Sequence, residues 1–562
     1  MRVSTAASRT NPRRTKAFKR FSANEQWVYE LQCHELSNET TSMRVGIISV
    51  FVDYHRRGRH HRGFLQPQVG ALIAALLPAD VDCEVVNDTW SDPDFSRDYD
   101  LLFLSCLHSD FDRARQISHY WRQRGAKTVL GGPMATLYPE LCEPFFDAVV
   151  CGDPEGTVPV LFRDFSRNEL KPRYRAPETV RHAPPTPRFD LMARQQIALQ
   201  SMEITRGCPF SCRFCTLTAT GTRFLTRDLD DVRRDLRAAM RTASRSWSPL
   251  KRRFAAFYDN NLGGNLGYLR AFCAAIEPFD LTWAACVTFN VIAQEELVAT
   301  MAGSGCRYLF VGLESFNEQT LASMEKRQNV VSKVHDAIDR CHRHGILLAS
   351  GLMLSPANDT RAYLESIPSR LDECGLIMPT YISFETPFPG TSHFHDMARG
   401  GHPRLLPNAL LQDFNAYTLV TEPRHMSANE FAEAYRQLHR EVYSLGRAFR
   451  KMASDAGSLL RGGSMFSPLA AAYESLFDRQ PLPAHRAFIT GQEPPYPEAY
   501  SVPLTDADFD SESHRAAVMD PWRVSDGRGE ILPMWRGRRE ANVLPIGLTR
   551  SWKSADVSVA AR

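Results

Sequence analysis

The chain lacks an excess of either charge. Its 67 basic residues stand against 64 acidic ones, a formal net charge of +3 that gives no reason to expect a nucleic-acid partner. It also lacks any apolar run near the ~20 residues that a membrane helix needs, since the longest candidate, Ile346 to Leu354, is strand-length. No secretory leader pattern is present either, so no integral membrane segment is expected. A disulfide framework is missing too: the 13 cysteines are odd in number and scattered, which fits a reducing, cytoplasmic setting. Residues 1–43 are rich in Arg, Ser and Thr with no apolar core, and they read as a disordered tail.

What is present is length and rhythm. A chain of 562 residues has material for two or three domains. From Arg44 short apolar runs alternate with amphipathic stretches, the pattern of an α/β fold. Strands are expected at Val45 to Phe51, Cys83 to Asn87, Leu101 to Cys106, Thr128 to Leu130 and Ala148 to Cys151, making a doubly wound, flavodoxin-like parallel sheet over residues 44–175. In such a sheet ligands bind beyond the carboxyl ends of the strands where strand order reverses, so the loops beginning at Val52 and Leu107 should face a ligand. The prolines Pro184, Pro185 and Pro187 mark a linker over 176–197. Six further strand-and-helix units over 198–395 read as a partial TIM-type barrel, with strands near Ser201 and at Phe254 to Tyr258, Thr282 to Val287, Tyr308 to Gly312, Leu347 to Leu354 and Tyr381 to Glu385. Residues 396–562 form a helical and irregular extension. Ser427 to Glu430 is a capping box that should start a helix running towards Phe449, and proline-rich irregularity is expected beyond Gln480.

The chemistry concentrates in Cys208, Cys212 and Cys215, spaced four and three apart in one loop just after the first barrel strand, with Phe214 before the last cysteine. A cubane iron-sulfur cluster takes four ligands, so three thiolates from one loop leave one iron open to a substrate or cofactor. Structural zinc is the competing reading, but it needs a fourth nearby ligand, and no His or Cys follows closely. The histidines His55, His60 and His61 lie among Arg56, Arg57, Arg59 and Arg62 and read as a basic loop, not a metal site.

The spacing and the aromatic resemble the cluster loop of the radical S-adenosylmethionine (SAM) superfamily. Gly131-Gly132-Pro133-Met134-Ala135-Thr136, Cys151-Gly152-Asp153-Pro154-Glu155-Gly156 and Leu65-Gln66-Pro67-Gln68 are similar to the cobalamin-binding domains fused in front of such barrels. So are the run from Gly305 to Ser315 and the turn Pro387-Phe388-Pro389-Gly390. The resemblance implies a 4Fe-4S cluster on the three cysteines, SAM on its open iron and cobalamin on the first sheet. It places Phe214, Asp259, Asn260, Thr288, Asn290 and Glu314 around SAM, and Pro67, Gln68, Ser105, Gly131, Gly132, Pro133, Thr136, Gly152 and Glu155 around the corrinoid. The Asp-x-His-x-x-Gly signature of mutase-type domains is absent, so no histidine below the cobalt is expected.

The activity implied is C-methylation of a small molecule or lipid through a substrate radical, with a flavodoxin or ferredoxin as reductant. A radical rearrangement without methyl transfer is the alternative, and a non-catalytic cobalamin-binding regulator is the reading that the intact cysteines oppose. Methylthiolation of transfer RNA would want three more cysteines in the first domain, and only Cys106 is suitably placed. Auxiliary clusters are disfavoured because no cysteine follows Cys374. No residue is singled out as catalytic in its own right, since cofactors of this kind carry the bond-breaking.

Overall fold

In the first sheet every central strand is apolar on both faces, and such a strand is stable only between two covering layers. The computed structural model describes residues 43–52, 67–176, 183–195, 201–244, 246–398, 403–406, 411–461, 502–504, 508, 523–525 and 531–533. Its first six strands are β1 (Arg44–Ser49), β2 (Asp82–Asn87), β3 (Leu101–Ser105), β4 (Lys127–Gly131), β5 (Ala148–Cys151) and β6 (Arg173–Arg175). They pair in parallel in the order β2-β1-β3-β4-β5-β6, so strand order reverses between β1 and β3. One face packs on the helices Val69–Ala75 and Val158–Ser166 through Ala71, Leu161 and Phe162. The other takes the helix Phe111–Arg122, whose Phe111, Ile117 and Trp121 are buried, and the core on this side runs on into the second sheet without a break. The sixth strand is absent from the sequence reading because Arg-Tyr-Arg offers one apolar residue, Tyr174, too few for a periodicity.

The second sheet begins with β7 (Thr205–Arg206), which pairs antiparallel with β8 (Leu225–Thr226). It continues with β9 (Phe254–Phe257), β10 (Thr282–Val287), β11 (Cys306–Glu314), β12 (Leu347–Leu354) and β13 (Tyr381–Phe384), all parallel and in sequential order. The first barrel strand joins them by a single parallel bridge, Met202 to Phe257. Along β11, Leu309, Val311 and Leu313 are buried against helices while Tyr308, Phe310 and Gly312 on the opposite face are only half-buried. That alternation is what a curled sheet with an inner lumen requires.

The capping box forms as expected: Ser427 and Glu430 exchange hydrogen bonds at the start of the helix Ala428–Val442. This helix closes the outside of β13, with Phe384 4.6 Å from the Tyr435 ring. The sequence pattern carries one helix to Phe449, whereas this one ends at Val442 and a second, Leu445–Arg461, follows. The chain breaks at Tyr443 and Ser444, and in the second helix Ala448 is buried while Phe449 is exposed. Further on, Val502 and Leu504 are buried, and Asp508 is held by His119 and Arg124 of the first sheet's helix Phe111–Arg122 and the turn after it. A short antiparallel pair, Arg523–Ser525 with Ile531–Pro533, lies in the tail that the sequence reads as irregular. The basic loop with His55, His60 and His61, and the tail before Met43, lie outside the described residues.

Candidate functional site

The cysteine loop leaves β7 through Gly207, where φ is +75° and an added Cβ would lie 2.4 Å from the Arg223 carbonyl oxygen, so only glycine makes this turn. Cys208, Cys212 and Cys215 follow, all three as free thiols. Burial pushes the Cys212 and Cys215 thiols up, and the charge of Lys326 beside Cys212 and the amides of Leu217 and Thr218 beside Cys215 pull the other way. Cys208 is near enough to both to act on them electrostatically. Among the described residues no three His, Cys, Asp or Glu side chains converge on a single metal ion. Three thiols from one loop are the donor set that a cubane with one open iron takes.

Neutral amides reach the sulfurs. Asn261 Nδ2 donates to Cys208 Sγ at 3.5 Å, and Gln328 Nε2 donates to Cys212 Sγ at 3.8 Å. Asn261 Oδ1 in turn accepts from Thr288 at 3.3 Å, which ties the ends of β9 and β10 to the loop. Asp259 is buried and its Oδ1 accepts the amides of Ile204 (2.7 Å) and Thr205 (2.9 Å), while Oδ2 has no partner. Burial raises its carboxyl well above the usual range. Its visible work is thus to fix the backbone that launches the cysteine loop. Asn260 is exposed beside it. Asn290 keeps a buried, unpartnered Oδ1 just past the end of β10, the kind of orphan that a bound polar ligand would satisfy.

Glu314 closes β11 at a bulge, with φ at +64°. Its carboxylate folds over Gly312 and accepts from Lys326 Nζ at 2.6 Å, and that ammonium stands 5.8 Å from the centre of the Phe214 ring. Asn329 clamps the bulge by donating to the Gly312 and Leu313 carbonyls at 2.9 and 2.8 Å. At the ends of β12 and β13, Ser355 donates to Glu385 at 2.6 Å and its amide to Asp359 at 2.7 Å; burial pushes Asp359 up to about 7. Asn261 belongs to the polar run Tyr258 to Asn261 that the sequence offers to SAM, and it faces a cluster sulfur instead, while Lys326, Gln328 and Asn329 escaped the sequence reading. The one signal available was the polar run from Glu325 to Asn329 directly after a helix, which a surface turn explains equally well.

The expected corrinoid residues divide into two groups. Gly132 has φ at +96°, with the Cys106 carbonyl oxygen 2.8 Å from where a Cβ would lie, and Gly131 has open space around it. Thr136 joins the loops after β4 and β5, donating to the Gly132 carbonyl (2.9 Å) and accepting from the Gly152 amide (3.0 Å). Pro133 opens the helix Pro133–Leu137, and Ser105 ends β3 half-buried nearby. These lie at the carboxyl ends of β3 and β4, where Leu107 is 55 % exposed. Gln68 and Glu155 point elsewhere. Gln68, one residue after Pro67, accepts from the Glu203 amide at 2.7 Å. Glu155 binds the Arg206 guanidinium at 2.8 Å, which also meets Asp153 at 3.0 Å and Glu203 at 3.1 Å. Arg206 stands two residues before Cys208, so this ion network bolts the first sheet to the base of the cysteine loop. Among the described residues the histidine near the switch point is His108; it is buried with no partner on Nε2, and burial drops it to about 4.

Residues 202–365 match the family model of the Radical SAM superfamily. The chain is 24 % identical over 388 residues to bacteriochlorophyllide d C-8(2)-methyltransferase of Chlorobaculum tepidum, covering 66 % of this chain and 84 % of that one. It is 23 % identical over 320 residues to hopanoid C-2 methylase of Rhodopseudomonas palustris, covering 53 % and 58 %. Among solved structures, the cobalamin-dependent SAM radical enzyme OxsB with aqua-cobalamin bound superposes with a TM-score of 0.55 at 12 % identity, over 74 % of this chain and 68 % of that one, a likeness of fold.

Proposed function

We infer, from the premise that this chain is a radical SAM enzyme whose barrel follows a corrinoid-type sheet, that it transfers a methyl group to carbon on a small-molecule substrate. The observation that carries the reading is the arrangement of three thiols on one loop, fixed through Arg206 to the acidic loop after β5. The cluster, SAM and cobalamin supply, when bound, the electron, the hydrogen-abstracting radical and the methyl donor. The chain's own residues hold and orient. Cys208, Cys212 and Cys215 would ligate three irons; Glu314, Thr288 and Asn290, grouped at the ends of β11 and β10, would take the polar parts of SAM; Gly131, Gly132 and Thr136 would meet the corrinoid. The Glu314 and Lys326 pair keeps a charge of each sign beside the loop without leaving either exposed.

The division we propose is a corrinoid domain over 44–175, a linker over 176–197 and a barrel over 198–395. No described helix is long and apolar enough to cross a membrane. We place the enzyme in the cytoplasm, reduced by a flavodoxin or ferredoxin and acting on no nucleic acid; the free state of the twelve described cysteines supports a reducing setting. The test is anaerobic reconstitution followed by assay of SAM cleavage. One cubane per chain and steady 5'-deoxyadenosine formation are expected, with loss of both when Cys208, Cys212 and Cys215 are replaced by alanine. Cleavage surviving that replacement would remove the reading.

A further inference from the structure

The inner face of the barrel sheet is unlike its outer face. Parallel register puts Ala284, Tyr308 and Leu347 at one level, Cys286, Phe310 and Ala349 at the next, and Gly312, Gly351 and Tyr381 above them. Residues at one level point to the same side of the sheet. Small residues, Ala284, Ala349 and Gly351, therefore floor the lumen on these strands. The rings stand over them. A Cβ on Gly351 would lie 2.4 Å from the Tyr381 ring, so Tyr381 rests flat across β12, and it stacks on Phe310 with centroids 5.8 Å apart and planes at 19°. Tyr417 meets the edge of the stack at 6.2 Å and 80°. At the carboxyl end of β9, Tyr258 is 52 % exposed, on the same side as Cys286 and within electrostatic reach of Tyr381.

Half-open aromatic rings inside an otherwise close-packed barrel are costly to leave in water, and stacked or edge-on rings with a flat floor select for shape. A branched saturated skeleton meets a ring only through the C–H groups that project from it, over part of its area. A flat conjugated one does not. We propose that the lumen faced by Tyr258, Phe310, Tyr381 and Tyr417 binds a planar, conjugated ring system as the methyl acceptor. This deepens the proposed activity and rests on it.

The test uses reconstituted full-length protein with hydroxocobalamin present, so that the first sheet's ligand edge is already competed. Metal-free deuteroporphyrin IX is the planar probe and cholate the saturated polycycle, each titrated by fluorescence or calorimetry. Deuteroporphyrin should bind well ahead of cholate. Tyr381→Leu should weaken it about tenfold, the scale of losing one ring from a stack, while Tyr381→Phe should restore it because the ring and not the hydroxyl makes the contact. Tyr417→Leu gives a second variant, and circular dichroism confirms that each has folded. Equal binding of the two probes, or no loss in either leucine variant, overturns the assignment. SAM cleavage by the wild-type protein is measured alongside: cleavage without probe binding sinks the lumen assignment alone, and probe binding without cleavage sinks the enzyme reading and with it the role of acceptor.

Discussion

Buried cations beside each of the two parallel sheets of this chain serve different surroundings. In the first, Arg113 on the helix Phe111–Arg122 is buried and holds Asp88 through two hydrogen bonds, 2.6 and 2.9 Å, inside the domain. At the mouth of the second, Arg206 and Lys326 lie beside the cysteine loop and pair with carboxylates from other elements. The first arrangement braces a scaffold, and the second surrounds chemistry. A sheet covered on both faces has nowhere to put charge except in closed pairs, whereas a sheet with a lumen can direct it towards a ligand.

The largest effect that sharpens this contrast is the removal of each arginine. Arg113→Ala should cost about 3–5 kcal/mol, because it leaves a buried carboxylate uncompensated. Arg206→Ala leaves partly exposed acids and should cost less. It should nonetheless lower the yield of reconstituted cluster more than Arg113→Ala does. Denaturant unfolding and iron analysis of the two variants decide it; equal cluster loss at equal destabilisation would erase the distinction.

A smaller change is expected from Glu314→Gln, which keeps the shape and removes the charge facing Lys326. SAM affinity should fall about tenfold, the loss of roughly one charge-assisted hydrogen bond, with the cluster's absorption spectrum unchanged. Unaltered SAM affinity would make the pair structural, like that of Arg113.

The last concerns pH. Burial holds His108 at about 4, below its unfolded value near 6.5, so protonation favours the unfolded chain. Its contribution to stability is full above pH 6.5 and is lost as pH falls towards 4. His108→Leu should therefore flatten the stability profile over that window and leave it unchanged above pH 7. A wild-type slope retained in the variant would move the effect to other groups.

Much of the fold was legible because apolar periodicity is local: β1 through β5 and the barrel strands from β9 to β13 all lie within a few residues of where alternation places them. β6 was not, since one tyrosine between two arginines carries no period. The cysteine triad was legible because its spacing is itself local. Lys326 was invisible, and Asn261 was legible only as a polar strand end and not as a partner of Cys208, because their meaning depends on contacts 12 and 53 residues away along the chain.

Sequence by itself determined the elements and the donor atoms: strand faces, the capping box at Ser427 and three thiols on one loop. Tertiary structure alone decided what those atoms face. Glu155 lies in a motif expected to meet a corrinoid and instead grips Arg206, and Tyr381, an ordinary strand residue in the sequence, lies flat over Gly351. The reason is physical. A side chain's period fixes the side of an element on which it stands, but its partner is set by where another element, folded from a distant stretch, comes to rest against it.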